Sequence, residues 1–185
     1  PVISKKAYNV WHYFFTDPRN TPDTVRILYI PMRLWGLVLF GLASSMNMSL
    51  LALSVFNRAF DNLSRWQRII SIFQVATLIY LAFFLFNTQM HERYIHPALL
   101  FGFLPFVLSQ DRTVYILVSI GYLLNMEAVM QMLDVFFYID HATVWVFNPM
   151  LITSIFLLAY IWGTVSHARQ FLALKNPNSL QVAHT

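Results

Sequence analysis

Three ionisable residues, His91, Glu92 and Arg93, follow one another between two strongly apolar stretches of the sequence. Tyr94 comes next, at a spacing from His91 that places both rings on one side of a helical backbone. Pro97 is typical of the first turn of a helix, and the free N–H groups of that turn would face the cluster. An arginine fork beside a helix N-terminus is well suited to binding an anion. The cluster is therefore a candidate anion site, in which Glu92 orients Arg93 or His91.

The alternative for the same cluster is an interfacial anchor without a ligand. Arginine and tyrosine side chains can reach lipid headgroups from a position within an apolar region. A charged residue at the centre of a bilayer costs at least about 2.5–3.5 kcal/mol, so such a cluster needs either a ligand or access to the membrane surface. The residue spacing does not decide between the two interpretations.

A second polar and aromatic cluster occupies residues 5–14, with the sequence KKAYNVWHYF. Its two lysines supply positive charge, and tryptophan and tyrosine favour the headgroup level of a membrane. We therefore predict an amphipathic interfacial segment around residues 7–15. It is either a membrane-surface belt or the basic lip of a lipid-phosphate or sugar site, for which Asp17 and Asp23 are candidate carboxylates.

Other polar residues in apolar surroundings are weaker candidates. Glu127 lies within an apolar stretch, where an acidic side chain is a functional candidate, although a position near a helix end explains it equally well. Asp140 and His141 form an acid–base or metal-type pair, but a solvated loop accounts for them as readily. His91 and His96 lie at a helix break, which argues against haem held between facing helices. No cofactor is assigned, and a divalent metal is left open.

The composition argues against a soluble globular domain. Hydrophobic residues make up 58% of the 185 residues and charged residues 11%, against about 25% charged in soluble domains. Several apolar stretches approach the roughly 20 residues that cross a bilayer, and in lipid the backbone groups must be satisfied within each helix. The sequence therefore predicts an all-α, polytopic transmembrane helical bundle. The absence of cysteine excludes disulfides and thiolate metal sites, and no basic stripe indicates nucleic acid.

About five spans are predicted, together with an N-terminal interfacial segment. The third span is shorter than the others and directly follows the cluster around Arg93. The expected ranges are 31–56, 69–87, 95–109, 113–133 and 150–167.

On this basis the chain divides into an extracytoplasmic interfacial segment at 1–29, a transmembrane domain at 30–168 and a cytoplasmic tail at 169–185. Lysine and arginine in short loops mark the cytoplasmic side. If the spans alternate in direction, six basic residues fall on the same side of the membrane, and we predict that this side is cytoplasmic. These residues are Arg58, Arg65, Arg68, Arg112, Arg169 and Lys175. The basic residues of the first segment oppose this orientation unless that segment faces an anionic ligand. The start at Pro1 shows no signal-peptide pattern, which fits a trimmed initiator methionine or a longer chain.

Two motifs resemble those of a known family. The stretch TQMHERYIHPALLF at 88–101 resembles the MHERY motif of the large membrane glycosyltransferases of the GT-C class, notably the mannosyltransferase-like branch related to GPI mannosyltransferase II. The stretch AYNVWHYFFTD at 7–17 is similar to the AYNLWW motif that precedes it in those proteins. The resemblance extends roughly over residues 3–170 and corresponds to the C-terminal portion of a family member.

The resemblance implies that the chain binds a polyprenyl-phosphate-linked sugar and transfers the sugar on the extracytoplasmic face of a bacterial inner membrane. Its partners are then membrane lipids and this donor, without nucleic acid. His91 and Arg93 would bind the donor phosphate, and Glu92 would orient them. The same pocket would be lined by the remaining candidates, which are Tyr94, Lys5, Lys6, Asn9, Trp11 and His12.

The chain departs from the family pattern in two respects. His12 replaces the second tryptophan of the AYNLWW motif, and the chain has no counterpart of the catalytic carboxylate that the family carries in its first long outer loop. No catalytic residue is therefore assigned. The chain is either a fragment of a larger enzyme, one half of a split enzyme, or a degenerate copy. The alternative function is a non-catalytic integral membrane subunit that packs against other membrane subunits in a larger complex.

Overall fold

The computed structural model describes residues 1–109, 111–133 and 145–175, and this part of the chain is a helical bundle. Its main helices are α1 Met32–Phe56, α2 Arg65–Phe86, α3 His96–Leu108, α4 Thr113–Met130 and α5 Pro149–Lys175. Four of these described helices, all except α3, are long and apolar enough to cross a membrane. The predicted all-α transmembrane class is therefore confirmed.

The third helix is too short to match the other four. It has 13 residues, which at about 1.5 Å per residue give a length of roughly 20 Å, against a hydrocarbon core of about 30 Å. It nevertheless runs back along α2: Tyr94 lies beside Phe83, with ring centroids 6.4 Å apart. Further on, Phe101 stacks on Tyr80 with a centroid separation of 5.3 Å. The chain therefore reverses direction at α3 as the alternating topology requires.

The helix ends differ from expectation where local capping decides them. α2 begins at Arg65 because Ser64 forms a capping box with Gln67, in which each side chain bonds the backbone N–H of the other residue. α5 continues to Lys175, so residues 169–175, the start of the predicted cytoplasmic tail, extend the last helix. The rest of the expected tail, 176–185, lies outside the described residues.

The N-terminal segment, which includes the predicted interfacial residues 7–15, packs against the helical bundle. All residues from Ala7 to His12 are buried, and the local helical structure is a 3₁₀ turn at Val10–Tyr13. The backbone N–H of Tyr8 donates to Oδ1 of Asn125 in α4 at 2.9 Å. The hydroxyl of Thr153 in α5 donates to the carbonyl oxygen of Asn9 at 3.2 Å. These bonds fix the segment against α4 and α5.

A short hairpin connects this segment to α1. Its strands, β1 Arg26–Ile27 and β2 Ile30–Pro31, are antiparallel, with Ile27 opposite Ile30. The two turn residues, Leu28 and Tyr29, have φ angles of 52° and 65°. A two-residue hairpin loop whose backbone twist matches that of its two strands needs a positive φ at both of its residues. The hairpin thus delivers the chain directly to the start of α1.

The core lies between α2 and α5, and the outer faces of the bundle are apolar. Phe84 and Phe156 are fully buried and pack edge to face, with ring centroids 5.0 Å apart. Leu42, Leu100 and Leu123 are each more than half exposed on the outside of their helices. Outward leucines of this kind suit contact with lipid chains, as expected of a membrane bundle.

Candidate functional site

The structure brings the two sequence clusters together at one end of the bundle. The backbone N–H of Gln89 donates to the carbonyl oxygen of Ile3 at 2.7 Å. The N–H groups of Lys5 and Lys6 lie 3.1 and 3.4 Å from the carbonyl oxygen of Met90, to which both donate. Residues 3–6 therefore run alongside residues 89–90, directly before the candidate anion cluster.

Three cations project from this junction. Lys5, Lys6 and Arg93 are exposed, and none has a side-chain partner among the described residues. Arg93 lies in a 3₁₀ turn, Glu92–Ile95, which leads directly into α3 at His96. Free cations grouped at a chain junction beside a helix N-terminus form a suitable surface for an anion.

His91, Glu92 and Tyr94 form a compact group beside these cations. The ring of His91 packs edge-on against Tyr94 with centroids 5.5 Å apart, as their spacing predicted. Nδ1 of His91 lies 3.8 Å from Oε2 of Glu92, which is an ion-pair distance and too long for a hydrogen bond. Oε2 of Glu92 is buried and accepts no hydrogen bond from the residues that the structure describes. Glu92 therefore lies beside His91 without a hydrogen bond between them, and its carboxylate does not pair with Arg93 among the described residues.

Asn9 and Trp11 use their donors within the fold. Nδ2 of Asn9 donates to the carbonyl oxygens of Asn87 and Phe84 at 3.2 and 3.4 Å. Nε1 of Trp11 donates to the Asn87 carbonyl at 3.2 Å. The last carbonyl groups of a helix lack partners within the helix, so these two side chains terminate α2. Asn9 and Trp11 therefore hold the N-terminal segment against the end of α2, and these side-chain donors are not available to a ligand.

His12 is buried in the same layer. Its Nε2 lies 3.2 Å from the carbonyl oxygen of Ala7, and its ring packs edge-on against Tyr8. The pKa of His12 is lowered to about 4, mainly because the ring is buried; the Ala7 carbonyl and Asp17 oppose this shift, and Arg19 adds to it. The imidazole is therefore neutral near pH 7 and does not contribute positive charge to the junction.

The remaining acidic candidates within the described residues accept hydrogen bonds from other parts of the fold. Asp17 accepts hydrogen bonds from the side chain and backbone of Asn20. Asp23 is buried and accepts a 2.6 Å hydrogen bond from Nε2 of Gln89. Oε1 of Glu127 accepts from the N–H of Leu133 at 2.7 Å, so this acid closes the end of α4. The other candidates, Asp140 and His141, lie outside the described residues, within which no group of three or more metal-type ligands occurs.

Gln89 is the site residue that the sequence did not suggest. Its φ angle is 62°, in the left-handed region that few residues other than glycine adopt. Its backbone binds Ile3 and its side chain binds Asp23, so one residue connects the junction to two parts of the N-terminal segment. The signal in the sequence is only a glutamine beside a charged cluster, which has no specificity.

The fold defines the class of this protein as an integral membrane helical bundle. No protein-family model, no curated protein and no solved structure matches the chain. Its function is therefore inferred from the geometry of the bundle itself.

Proposed function

We propose that the chain is the donor-binding portion of a membrane glycosyltransferase that uses a polyprenyl-phosphate-linked sugar on the extracytoplasmic face. The observation that carries the proposal is the group of three exposed cations, Lys5, Lys6 and Arg93, at the junction of two separate chain segments, none of which pairs with another side chain in the part of the chain that the structure describes. The resemblance of both segments to motifs of GT-C glycosyltransferases supports the same assignment. The lipid-facing helices supply a surface along which a polyprenyl chain can lie.

The chemistry of sugar transfer explains why cations are needed at this place. The acceptor hydroxyl attacks the anomeric carbon, and the bond from that carbon to the phosphate oxygen breaks. Negative charge develops on the departing phosphate, and fixed positive charges stabilise it. Arg93 presents a planar fork of donors suited to two phosphate oxygens, and the lysines add charge without fixed geometry.

Attack by the acceptor also requires a base, and the described carboxylates at this end have other roles. Asp17 and Asp23 bind Asn20 and Gln89, and Glu92 lies beside His91. The proposal therefore limits the role of the described residues to holding the donor. It assigns activation of the acceptor to a carboxylate outside them, in the same protein or in a partner subunit.

Arg93→Ala tests the proposal in the purified chain. We expect polyprenyl monophosphate to bind the parent protein and to bind the variant at least about tenfold more weakly, because hydrogen bonds to a charged group contribute roughly 1.5–3 kcal/mol. Native mass spectrometry in detergent micelles measures the bound fraction. The double variant Lys5→Ala/Lys6→Ala should show a loss in the same direction.

The matched control is Arg65→Ala, which removes an exposed arginine at the opposite end of the bundle. It should leave polyprenyl monophosphate binding unchanged. Equal binding by Arg93→Ala and the parent protein would exclude the phosphate role of Arg93. If the parent protein binds no polyprenyl monophosphate and copurifies with other membrane subunits, the non-catalytic subunit replaces the proposed function.

A further inference from the structure

The β1–β2 hairpin ends in two large side chains that the fold leaves uncovered. Leu28 is 75% exposed, and Tyr29, at 94%, is the most exposed large hydrophobic residue in the described part of the chain. Both have positive φ angles, which are strained for bulky residues. Asparagine and glycine are the usual residues of such a turn and would avoid the strain. The two apolar side chains therefore indicate a role beyond the turn itself.

The hairpin is fixed to the first turn of α1. The backbone N–H of Met32 donates to the carbonyl oxygen of Val25 at 2.9 Å, at a helix start where N–H groups lack acceptors within the helix. Nε1 of Trp35 donates to the carbonyl oxygen of Ile27 at 3.0 Å, directly before the hairpin turn. Because Ile27 is bonded to the first turn of α1, the turn residues that follow it lie close to that level of the helix.

The first turn of α1 lies at the membrane surface. α1 has 25 residues, a length of about 37 Å at 1.5 Å per residue, and the hydrocarbon core of a bilayer is about 30 Å thick. The helix therefore extends past the core, and the exposed Arg33 in its first turn suits a position among lipid headgroups. Leu37 and Val38, one turn further on, are more than half exposed and continue the apolar surface toward the core.

Two arginines flank the exposed tip of the hairpin. Arg26 precedes the tip in β1, where it lies opposite Pro31, and Arg33 follows the tip in α1. Both are exposed, and neither side chain has a partner among the residues that the structure describes. An apolar tip between two unpaired cations is complementary to the layer in which acyl chains meet lipid phosphates.

We propose that the hairpin tip inserts into the lipid bilayer at the end of the bundle that carries the N-terminal junction. Leu28 and Tyr29 enter the boundary between headgroups and acyl chains, roughly 5–10 Å deep. Arg26 and Arg33 bind the phosphates of the surrounding lipids. The occupant of this surface is lipid because the hairpin is bonded to the start of a membrane-spanning helix and continues its apolar face.

The inserted hairpin also sets the height of the N-terminal junction. The carboxylate of Asp23, at the base of the hairpin, accepts a 2.6 Å hydrogen bond from Nε2 of Gln89. The backbone N–H of Arg33 donates to the carbonyl oxygen of Asp23 at 3.1 Å. The hairpin, the start of α1 and the junction therefore form one hydrogen-bonded layer, which the tip holds at the level of the headgroups. This lipid contact requires no sugar donor and does not depend on the proposed function.

Depth-dependent fluorescence quenching in nanodiscs of phosphatidylcholine and phosphatidylglycerol tests the contact. The chain has no cysteine, so Tyr29→Cys carries a single nitrobenzoxadiazole probe at an exposed position. Asn20→Cys carries the same probe in an exposed polar stretch of the N-terminal segment. A lipid with a nitroxide near the start of its acyl chain should quench the probe at position 29 at least about threefold more strongly, since the depths of probe and nitroxide match. Acrylamide, which quenches from water, should show the opposite order.

Charge reversal tests the contribution of the arginines. Arg26→Glu/Arg33→Glu, introduced together with Tyr29→Cys, should reduce quenching by the nitroxide lipid at least about twofold, because lipid phosphates repel carboxylates. The matched control, Arg65→Glu with Tyr29→Cys, changes an exposed arginine at the opposite end and should leave the quenching unchanged. The unfolding temperature of each labelled protein in the same nanodiscs shows whether its bundle is intact.

Three results would contradict lipid insertion of the tip. Strong quenching by acrylamide together with weak quenching by the nitroxide lipid at position 29 would place the tip in water. Protection from both quenchers would mean that protein covers the tip, in the form of a second copy of the chain. Unchanged lipid quenching in the folded charge-reversal variant would exclude the binding of phosphates by Arg26 and Arg33. Any of these outcomes overturns the proposal.

Discussion

The imidazole of His12 lies where a positive charge is unfavourable. It is buried beside Tyr8, and the guanidinium of Arg19 lies over the same tyrosine ring, 5.1 Å from its centroid. Burial is the main reason that the pKa of His12 falls from 6.5 to about 4. In the unfolded chain the imidazole binds a proton at a higher pH than in the folded chain, so acid favours unfolding.

The thermal stability of the chain should therefore decrease between about pH 6.5 and pH 4. The contribution of His12 is complete above pH 6.5 and is lost as the pH falls toward the lowered pKa of about 4. Circular dichroism of the chain in detergent gives the unfolding temperature at each pH. In His12→Gln, whose side chain does not titrate, the decrease should be smaller. An identical pH profile for both proteins would show that His12 is not responsible.

The sequence predicts which residues of the candidate site are charged or polar. It does not predict the hydrogen-bond partner of each polar group. Lys5, Lys6 and Arg93 are cationic whatever the fold, and their grouping at one junction agrees with the predicted proximity of the two motifs. Trp11 is different, because the carbonyl that accepts its N–H belongs to Asn87, far along the chain. No local pattern reveals such a contact, since it depends on how the N-terminal segment docks against the end of α2.

At the scale of helices, the approach of α1 to the end of α2 depends on a missing side chain. A Cβ atom at Gly36 would lie 2.9 Å from the carbonyl oxygen of Phe86 and 3.2 Å from the backbone nitrogen of Thr88. Backbone atoms cannot move aside as a flexible side chain can. Gly41, in the same helix, would place its Cβ in open space.

Gly36→Ala should lower the stability of the bundle by roughly 1–3 kcal/mol, the usual cost of forcing an extra carbon into a packed interior. Gly41→Ala should leave the stability unchanged or raise it by up to about 1 kcal/mol, because alanine favours a helix more than glycine does. Denaturant titration of both variants in the same micelles compares them directly. A similar loss in both variants would mean that the contact between α1 and α2 is not this close.

Hydropathy predicted the existence of the five helices because lipid-facing segments must be apolar throughout. It did not predict their ends, since these depend on particular side chains. Ser64 and Gln67 extend α2 at its start through a capping box, although the residues there are polar. The aromatic composition of residues 7–15 predicts an interfacial segment, but it does not predict that residues 7–12 are buried against the helices, because aromatic side chains suit both environments.

At the scale of the whole molecule, the bundle separates two ends with different character. The exposed cations of the N-terminal junction lie at one end, and a cavity lined by residues of all five helices lies at the other. A chain that reverses at every helix places the turn between α1 and α2 on the side opposite the first 30 residues. The orientation of the bundle in the membrane can therefore be measured by labelling one exposed residue at each end.

The sequence contains no cysteine, so single cysteines report on position without background. Thr24→Cys and Asp61→Cys alter exposed residues at opposite ends. In intact bacterial cells, a membrane-impermeant maleimide should label position 24 directly and position 61 only after permeabilisation. The reverse pattern would contradict the proposed extracytoplasmic donor site. Labelling of both positions from outside would contradict the alternating topology.

The docking of the N-terminal segment has a consequence for how the protein is made. Residues 1–13 are synthesised before α5, yet Asn9 is held by Thr153, and the hydroxyl of Tyr13 donates to the carbonyl oxygen of Met150 at 3.0 Å. Both partners belong to the helix that enters the membrane last among those described. The segment must therefore wait at the membrane surface while the other helices insert. Residues 1–13 therefore reach their final positions only after the later helices, and the candidate site is complete only when α5 is in place.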